Sequence, residues 1–106
     1  MSNALRDDAV FSALGDSTRR RVLALIGQRG SATATELAAE LPITRQGVQK
    51  HLASLLEAQL VAPSRSGREV RYRLTPAPLG DAVAWIAAVG GEWDERLGAL
   101  ERELGR

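Results

Sequence analysis

The sequence of 106 residues contains no cysteine, one histidine and few aromatics: two Trp, one Tyr and one Phe. Without cysteine there is no disulfide framework, no thiolate metal site, no cysteine nucleophile and no thiol redox switch, and cysteine usage says nothing of the redox compartment. A lone His51 cannot furnish a multi-histidine metal site within one chain. Long apolar runs are missing too. The longest, Ala82 to Val89, falls far short of the roughly 20 residues that cross a bilayer. The opening residues lack the basic, apolar and small-residue succession of a secretory signal. A cytoplasmic, soluble chain without membrane contact is expected. Its length fits one domain over 1–106, which buries roughly 60–65% of its unfolded surface and stands without disulfides.

Charge is nearly balanced at net +1, but it is unevenly spread. Residues 1–41 carry five basic and five acidic side chains, residues 42–75 six against two (net +4), and residues 76–106 three against six (net −3). A basic island on an otherwise neutral domain suits contact with phosphates, each of which releases condensed counterions.

Periodicity divides the chain into elements. Helices 1 and 2 are expected over 5–30, with Leu5, Ala9, Val10, Ala13 and Leu14 on one face and a stop at Gly15. Asp16 caps a second helix carrying Val22, Leu23 and Ile26 inward. Over 33–60 the pattern predicts two short helices. Thr33-Ala-Thr-Glu36 is a capping box, and after Pro42 a fourth helix starts at Thr44 with Val48, Leu52, Leu55 and Leu56 inward. From Ala62 the period becomes two, with Val70, Tyr72 and Leu74 on one side and Glu69, Arg71 and Arg73 on the other. Residues 61–75 therefore read as a hairpin whose loop, Ser64 to Arg68, centres on Gly67. Thr75-Pro76 opens a last helix over 76–104. There Leu79, Val83, Ile86, Gly90, Trp93, Leu97, Leu100 and Leu104 recur at alternating spacings of four and three. Gly90-Gly91 is expected to kink or divide it.

Two short helices joined by Leu41-Pro-Ile-Thr44 make a helix-turn-helix, and the arginine-rich hairpin after it makes a wing. The fold class is mainly helical with a small hairpin, a winged helix-turn-helix. Thr44, Arg45, Gln46, Gln49 and Lys50 cluster near the start of the fourth helix, the end that approaches DNA. Arg and Lys pair with guanine, Gln with adenine, and a Thr hydroxyl holds a phosphate. Ser54 lies further along, and His51 lies between the inner and outer faces, suited to packing or to a phosphate. Arg65, Arg68, Arg71 and Arg73 of the hairpin complete the expected double-stranded DNA contacts. Arg19, Arg20 and Arg21 oppose the dipole at their helix start, and the open alternatives are that one reaches a phosphate, pairs with an acid of another helix, or faces solvent.

Thr33-Ala-Thr-Glu-Leu-Ala38, Ile43-Thr-Arg-Gln-Gly-Val-Gln-Lys-His-Leu52 running on to Val61, and Gly67-Arg-Glu-Val-Arg-Tyr-Arg-Leu74, with Asp16-Ser-Thr-Arg19 before them, resemble the arsenic-repressor (ArsR) family of bacterial winged-helix repressors. The resemblance covers about residues 5–104. It implies a homodimer on a palindromic operator in the bacterial nucleoid, joined through the first and last helices. Leu5, Val10, Phe11 and Leu14 of the first helix, with Leu79, Val83, Trp85, Ile86, Trp93, Leu97 and Leu100 of the last, are the interface it points to.

Three departures stand out. Where many members carry sensing cysteines in the third helix, this chain has Thr35-Glu-Leu-Ala-Ala-Glu40. Asp81, Glu92, Asp94 and Glu95 of the last helix lack a His partner and read as charged surface, so neither metal nor cofactor is expected. Gln59 stands in place of a glycine and must take a left-handed conformation or let the turn shift.

The leading expectation is a dimeric repressor reading half-sites about one turn, roughly 10 bp, apart. A winged-helix protein-interaction module, whose basic hairpin binds an acidic partner without sequence preference, is the alternative. Enzymatic function is not expected, because the sole His sits on a DNA-facing element and no phosphate loop or paired carboxylate appears. The effector, whether small molecule or protein, is left open by the sequence.

Overall fold

Capping side chains decide where the helices begin. The structure, a computed structural model, describes residues 3–103, with the side chains of residues 3–7, 92–94, 96–97 and 100–101 outside that description. Helix α1 (Asn3–Leu14) is followed by α2 (Ser17–Arg29), α3 (Ala34–Glu40), α4 (Arg45–Glu57) and α5 (Pro76–Glu103). Asp16 caps α2 by accepting from the Arg19 amide at 3.0 Å. The Thr33 hydroxyl accepts from the Glu36 amide at 3.0 Å while the Glu36 carboxylate accepts from the Thr33 amide at 2.9 Å, a complete capping box. Thr44 caps α4 through the Gly47 amide at 3.0 Å. Each cap satisfies a backbone donor that the first helical turn leaves without a partner.

The hairpin consists of β2 (Val61–Ser66) and β3 (Glu69–Leu74). Its connection is shorter than the expected loop. Only Gly67 and Arg68 lie outside the strands, and Gly67 adopts φ 62°, the left-handed start that matches the twist of a two-residue hairpin turn. The hairpin also has a third strand beside it. Ala32 and Thr33, expected only as the approach to a helix, form β1 and pair antiparallel with β3, giving the order β1-β3-β2. Two residues are too few for a period to register, which is why alternation does not reveal them.

Val10 and Ala13 of α1, Val22, Leu23 and Ile26 of α2, Leu37 of α3, Val48, Leu52 and Leu55 of α4, and Leu60 and Val61 form the core. Burying each aliphatic side chain of this size contributes about 1.5–3 kcal/mol. Val10, expected at a dimer interface, is only 1% exposed. It packs within its own protomer and has no surface to offer a partner. Helix α4 is thus seated on the core, chiefly against α2 and α3, through its apolar face.

Helix α5 is a single element of 28 residues, not divided at Gly90-Gly91. Each glycine costs about 1 kcal/mol of helix propensity, which a long cooperative run absorbs. At about 1.5 Å per residue the helix is some 40 Å long. Among the described residues its start is held by Pro78, Leu79 and Ala82, which are buried or half-buried, while residues 83–91 are exposed. The molecule therefore measures 65 × 34 × 20 Å, with a radius of gyration of 18.0 Å, against about 13 Å for a compact chain of this length.

Candidate nucleic-acid interface

Because Val48, Leu52 and Leu55 face the core, helical geometry turns Gln46, Gln49 and Lys50 to the opposite side of α4, with Arg45 at its edge. All four side chains are exposed, and none makes a hydrogen bond or ion pair with another described residue. The Thr44 hydroxyl spends one acceptor site on Gly47 and keeps its proton to donate outward. Arg65, Arg68 and Arg73 on the hairpin are likewise exposed and without partners among the described residues. An open cleft of about 520 Å³ lies between helix and wing, bordered by Arg45 and Gln49 on one side and by Arg68, Val70 and Tyr72 on the other. Helix start and wing thus border one open cleft whose lining also includes Glu36 and Glu69, and the exposed Lys50, Arg65 and Arg73 beyond it carry the cationic excess that contact with a polyanion requires.

Three of the expected contact residues are engaged inside the protein. Ser54 lines a small hollow of about 110 Å³ with Ala9, Ser12, Ala13, Arg19 and Glu57, so it is turned toward α1 and α2 and away from the polar face. His51 is half-buried, and its Nδ1 accepts from Arg19 Nε at 3.3 Å. Arg71 differs most. Its guanidinium donates from Nε to Ser31 Oγ (2.9 Å), and from Nη2 to the Ser31 carbonyl (3.3 Å) and to Glu36 Oε1 (3.0 Å). Thr33 lies beside it in register across β1 and Ser64 across β2. Alternation assigned Arg71 to the same side as Arg73, and missed that strand β1 and α3 cover this side near the base of the wing.

Arg19 and Arg20 also have roles that sequence left undecided. Arg20 donates to the Leu14 carbonyl at 2.7 Å and Arg19 to the Ser12 carbonyl at 3.4 Å. Cations at the start of α2 thereby satisfy the carbonyl end of α1, where the dipole favours them. Gln59 takes φ 59°, the left-handed alternative foreseen for it.

Two carboxylates are held ionised. The Arg19 amide keeps Asp16 below the usual carboxylate range, outweighing desolvation, with His51 and Arg19 adding to it. The Thr33 amide does the same for Glu36, followed by the Arg71 guanidinium. Glu36 in turn raises the Arg71 pKa. Among the described residues no three His, Asp or Glu side chains are grouped as a metal ion would need, and no helix is long and apolar enough to cross a membrane.

Of the dimer-face candidates, Val83, Trp85 and Ile86 are 63%, 57% and 55% exposed, and neighbouring Val89 is 45% exposed. The Phe11 and Trp85 rings meet edge to face at 5.4 Å, joining α1 to α5 within the protomer. Leu14 and Leu79 are half-buried against the core. Leu5, Trp93, Leu97 and Leu100 lie outside the described side chains.

Among the described residues, five helices, a three-stranded antiparallel sheet and an exposed polar helix beside a basic hairpin define a winged helix-turn-helix of the DNA-binding regulator class. A helix-turn-helix domain family matches residues 14–63. The HTH-type transcriptional regulator YuzN of Bacillus subtilis (strain 168) is 45% identical over 86 residues, covering 74% of this chain and 94% of that one. The arsenical resistance operon repressor of Escherichia coli (strain K12) is 31% identical over 101 residues, covering 92% and 83%. Among solved structures, an ArsR-like transcriptional regulator from Rhodococcus sp. RHA1 superposes with a TM-score of 0.79 at 37% identity, covering 96% of this chain and 95% of that one. This chain belongs to the ArsR family of helix-turn-helix transcriptional regulators, which are DNA-binding and not enzymatic.

Proposed function

We propose that the protein is a homodimeric repressor that binds a palindromic operator through α4 and the wing, with no sensing of metal through cysteine. The observation that carries this reading is the exposed face of Arg45, Gln46, Gln49 and Lys50, unpaired within the described protein, of which Arg45 and Gln49 border one cleft with Arg68. Arg45 and Gln49 have the donors and acceptors to read base edges, and Thr44, Lys50, Arg65, Arg68 and Arg73 to hold phosphates. The apolar row of Val83, Trp85, Ile86 and Val89 on a projecting helix supports pairing with a second copy about a twofold axis. Such an axis gives the operator its inverted repeat. The chain contains no cysteine, so a release signal acts by another chemistry, binding the free form more tightly than the DNA-bound form.

Selection from a random duplex library at two salt concentrations, with and without zinc, tests this directly. A palindromic consensus, bound with a steep salt dependence and indifferent to zinc, is expected. Weak binding to any polyanion without a consensus would reject the repressor reading and favour a winged-helix module that binds acidic protein partners.

A further inference from the structure

The Arg71 contacts lie where the sheet narrows. Strand β1 pairs with β3 only at Tyr72 and Arg71, so beyond Arg71 toward the tip the wing is a two-stranded ribbon. Isolated ribbons of this kind are marginal in water and take their direction from what holds their base. Here the base is held by a guanidinium fork. Arg71 reaches Ser31 through Nε and Nη2, and spans both oxygens of Glu36, Oε1 at 3.0 Å and Oε2 at 3.5 Å. Glu69 Oε2, nearer the tip, lies 3.5 Å from Nη1. Glu36 is itself pinned to the start of α3 by the Thr33 amide, and α3 packs on α4. The connection therefore runs from ribbon to recognition helix through side chains fixed at each step.

We infer that Arg71 and Glu36 form a clamp that sets the angle of the wing against α4, making both positioning residues for DNA binding. The inference rests on the reading of α4 and the wing as the DNA interface. Two contrasts carry it. Arg65, Arg68 and Arg73 have no partner among the described residues, whereas the donors of Arg71 are directed into the protein. Glu36 also lines the same cleft as Arg45, Arg68 and Glu69, where an unneutralised carboxylate would repel phosphate. Its pairing with Arg71 removes that penalty and turns an acidic side chain into a support for DNA binding.

The sign of one substitution separates the possibilities. Glu36→Gln removes a negative charge from the cleft and frees Arg71, so by charge alone it tightens DNA binding. Gln serves as well as Glu in a capping box, so the start of α3 is kept. The clamp predicts the opposite, a weakening of about three- to fivefold, the scale on which a solvent-screened pair can bias an orientation. Arg71→Gln weakens binding by a similar factor, and the double variant is no weaker than Arg71→Gln alone. With the selected operator duplex as probe, the salt slope falls in Glu36→Gln as well as in Arg71→Gln, although Glu36→Gln removes no cation, because Arg65 and Arg68 lose their positions on the duplex in both. Tighter binding by Glu36→Gln, additive losses in the double variant, or an unchanged salt slope in Glu36→Gln would overturn the clamp.

Amide exchange at residues 64–70 of the free protein reads the same device without DNA. Faster exchange in both single variants is expected, and unchanged exchange rejects the clamp whatever the operator proves to be. Failure of the wild-type protein to select any duplex, with faster wing exchange in the variants, would instead reject the repressor reading and leave the clamp standing.

Discussion

At Gln59 the chain leaves α4 with φ 59°, a conformation that costs a side-chain-bearing residue more than glycine, while glycine gives up more entropy on folding. The first effect is the larger, so Gln59→Gly is expected to stabilise the fold by about 0.5–1 kcal/mol, read as a higher thermal midpoint. Acid acts at other single residues. Asp16 and Glu36 have carboxyl pKa values lowered by folding, so their stabilisation is complete above the unfolded-state value and is lost as pH falls through the folded one. The thermal midpoint should therefore hold level down to about pH 5 and decline below about pH 4. Asp16→Asn, which keeps a good cap but cannot titrate, should flatten part of that decline. Residues of the interface divide by chemistry. Replacing Gln49 or Arg45 should relax sequence preference, while Arg68→Ala should weaken binding evenly across sequences and reduce the salt slope by about two, one for each protomer of the proposed dimer. Binding to a panel of single-base operator variants checks this, and equal losses on every sequence for all three would refute it.

Elements differ in how plainly the sequence announces them. Helices α2, α3 and α4 are legible because Asp16, Thr33 and Thr44 mark their starts chemically and because apolar residues recur behind each cap. The wing is legible from alternation and Gly67, and the exposed side of α4 from what its apolar side leaves over. Strand β1 is not, since it exists only through pairing with β3, some 40 residues away in the chain. Arg71 and Glu36 stay hidden for the same reason: local pattern marks a strand residue as outward, and only the third strand and α3 decide what lies there. Helix α5 tests local propensity against cooperativity. An added Cβ at Gly91 meets nothing within 4 Å, and the position lies off the row of Val83, Ile86 and Gly90. Gly91→Ala should therefore add about 1 kcal/mol of helix stability, seen as slower amide exchange through the middle of α5. No gain would mean that this stretch of α5 is packed more closely in solution than in the lone protomer.

For the whole molecule, shape and surface lead to one conclusion. A helix some 40 Å long, held by its first turns and carrying exposed Val83, Trp85, Ile86 and Val89, leaves an apolar row that a monomer in water would bury if it could. In the proposed dimer, pairing of two copies would cover that row and bring two copies of α4 to one duplex. Ile86→Asp separates the two functions, because Ile86 is more than half exposed in the protomer and its loss leaves the core untouched. A charge there should abolish pairing, so that the variant sediments as a monomer with its helical content retained. Linked half-sites gain effective concentration, so operator binding should weaken by about a hundredfold or more. The salt slope supplies the decisive comparison: a monomer on one half-site makes half the phosphate contacts, so its slope should be about half that of the wild type. A monomer that kept the full slope would mean that one protomer makes all the contacts, and a variant still dimeric would mean that the twofold axis lies elsewhere than along α5.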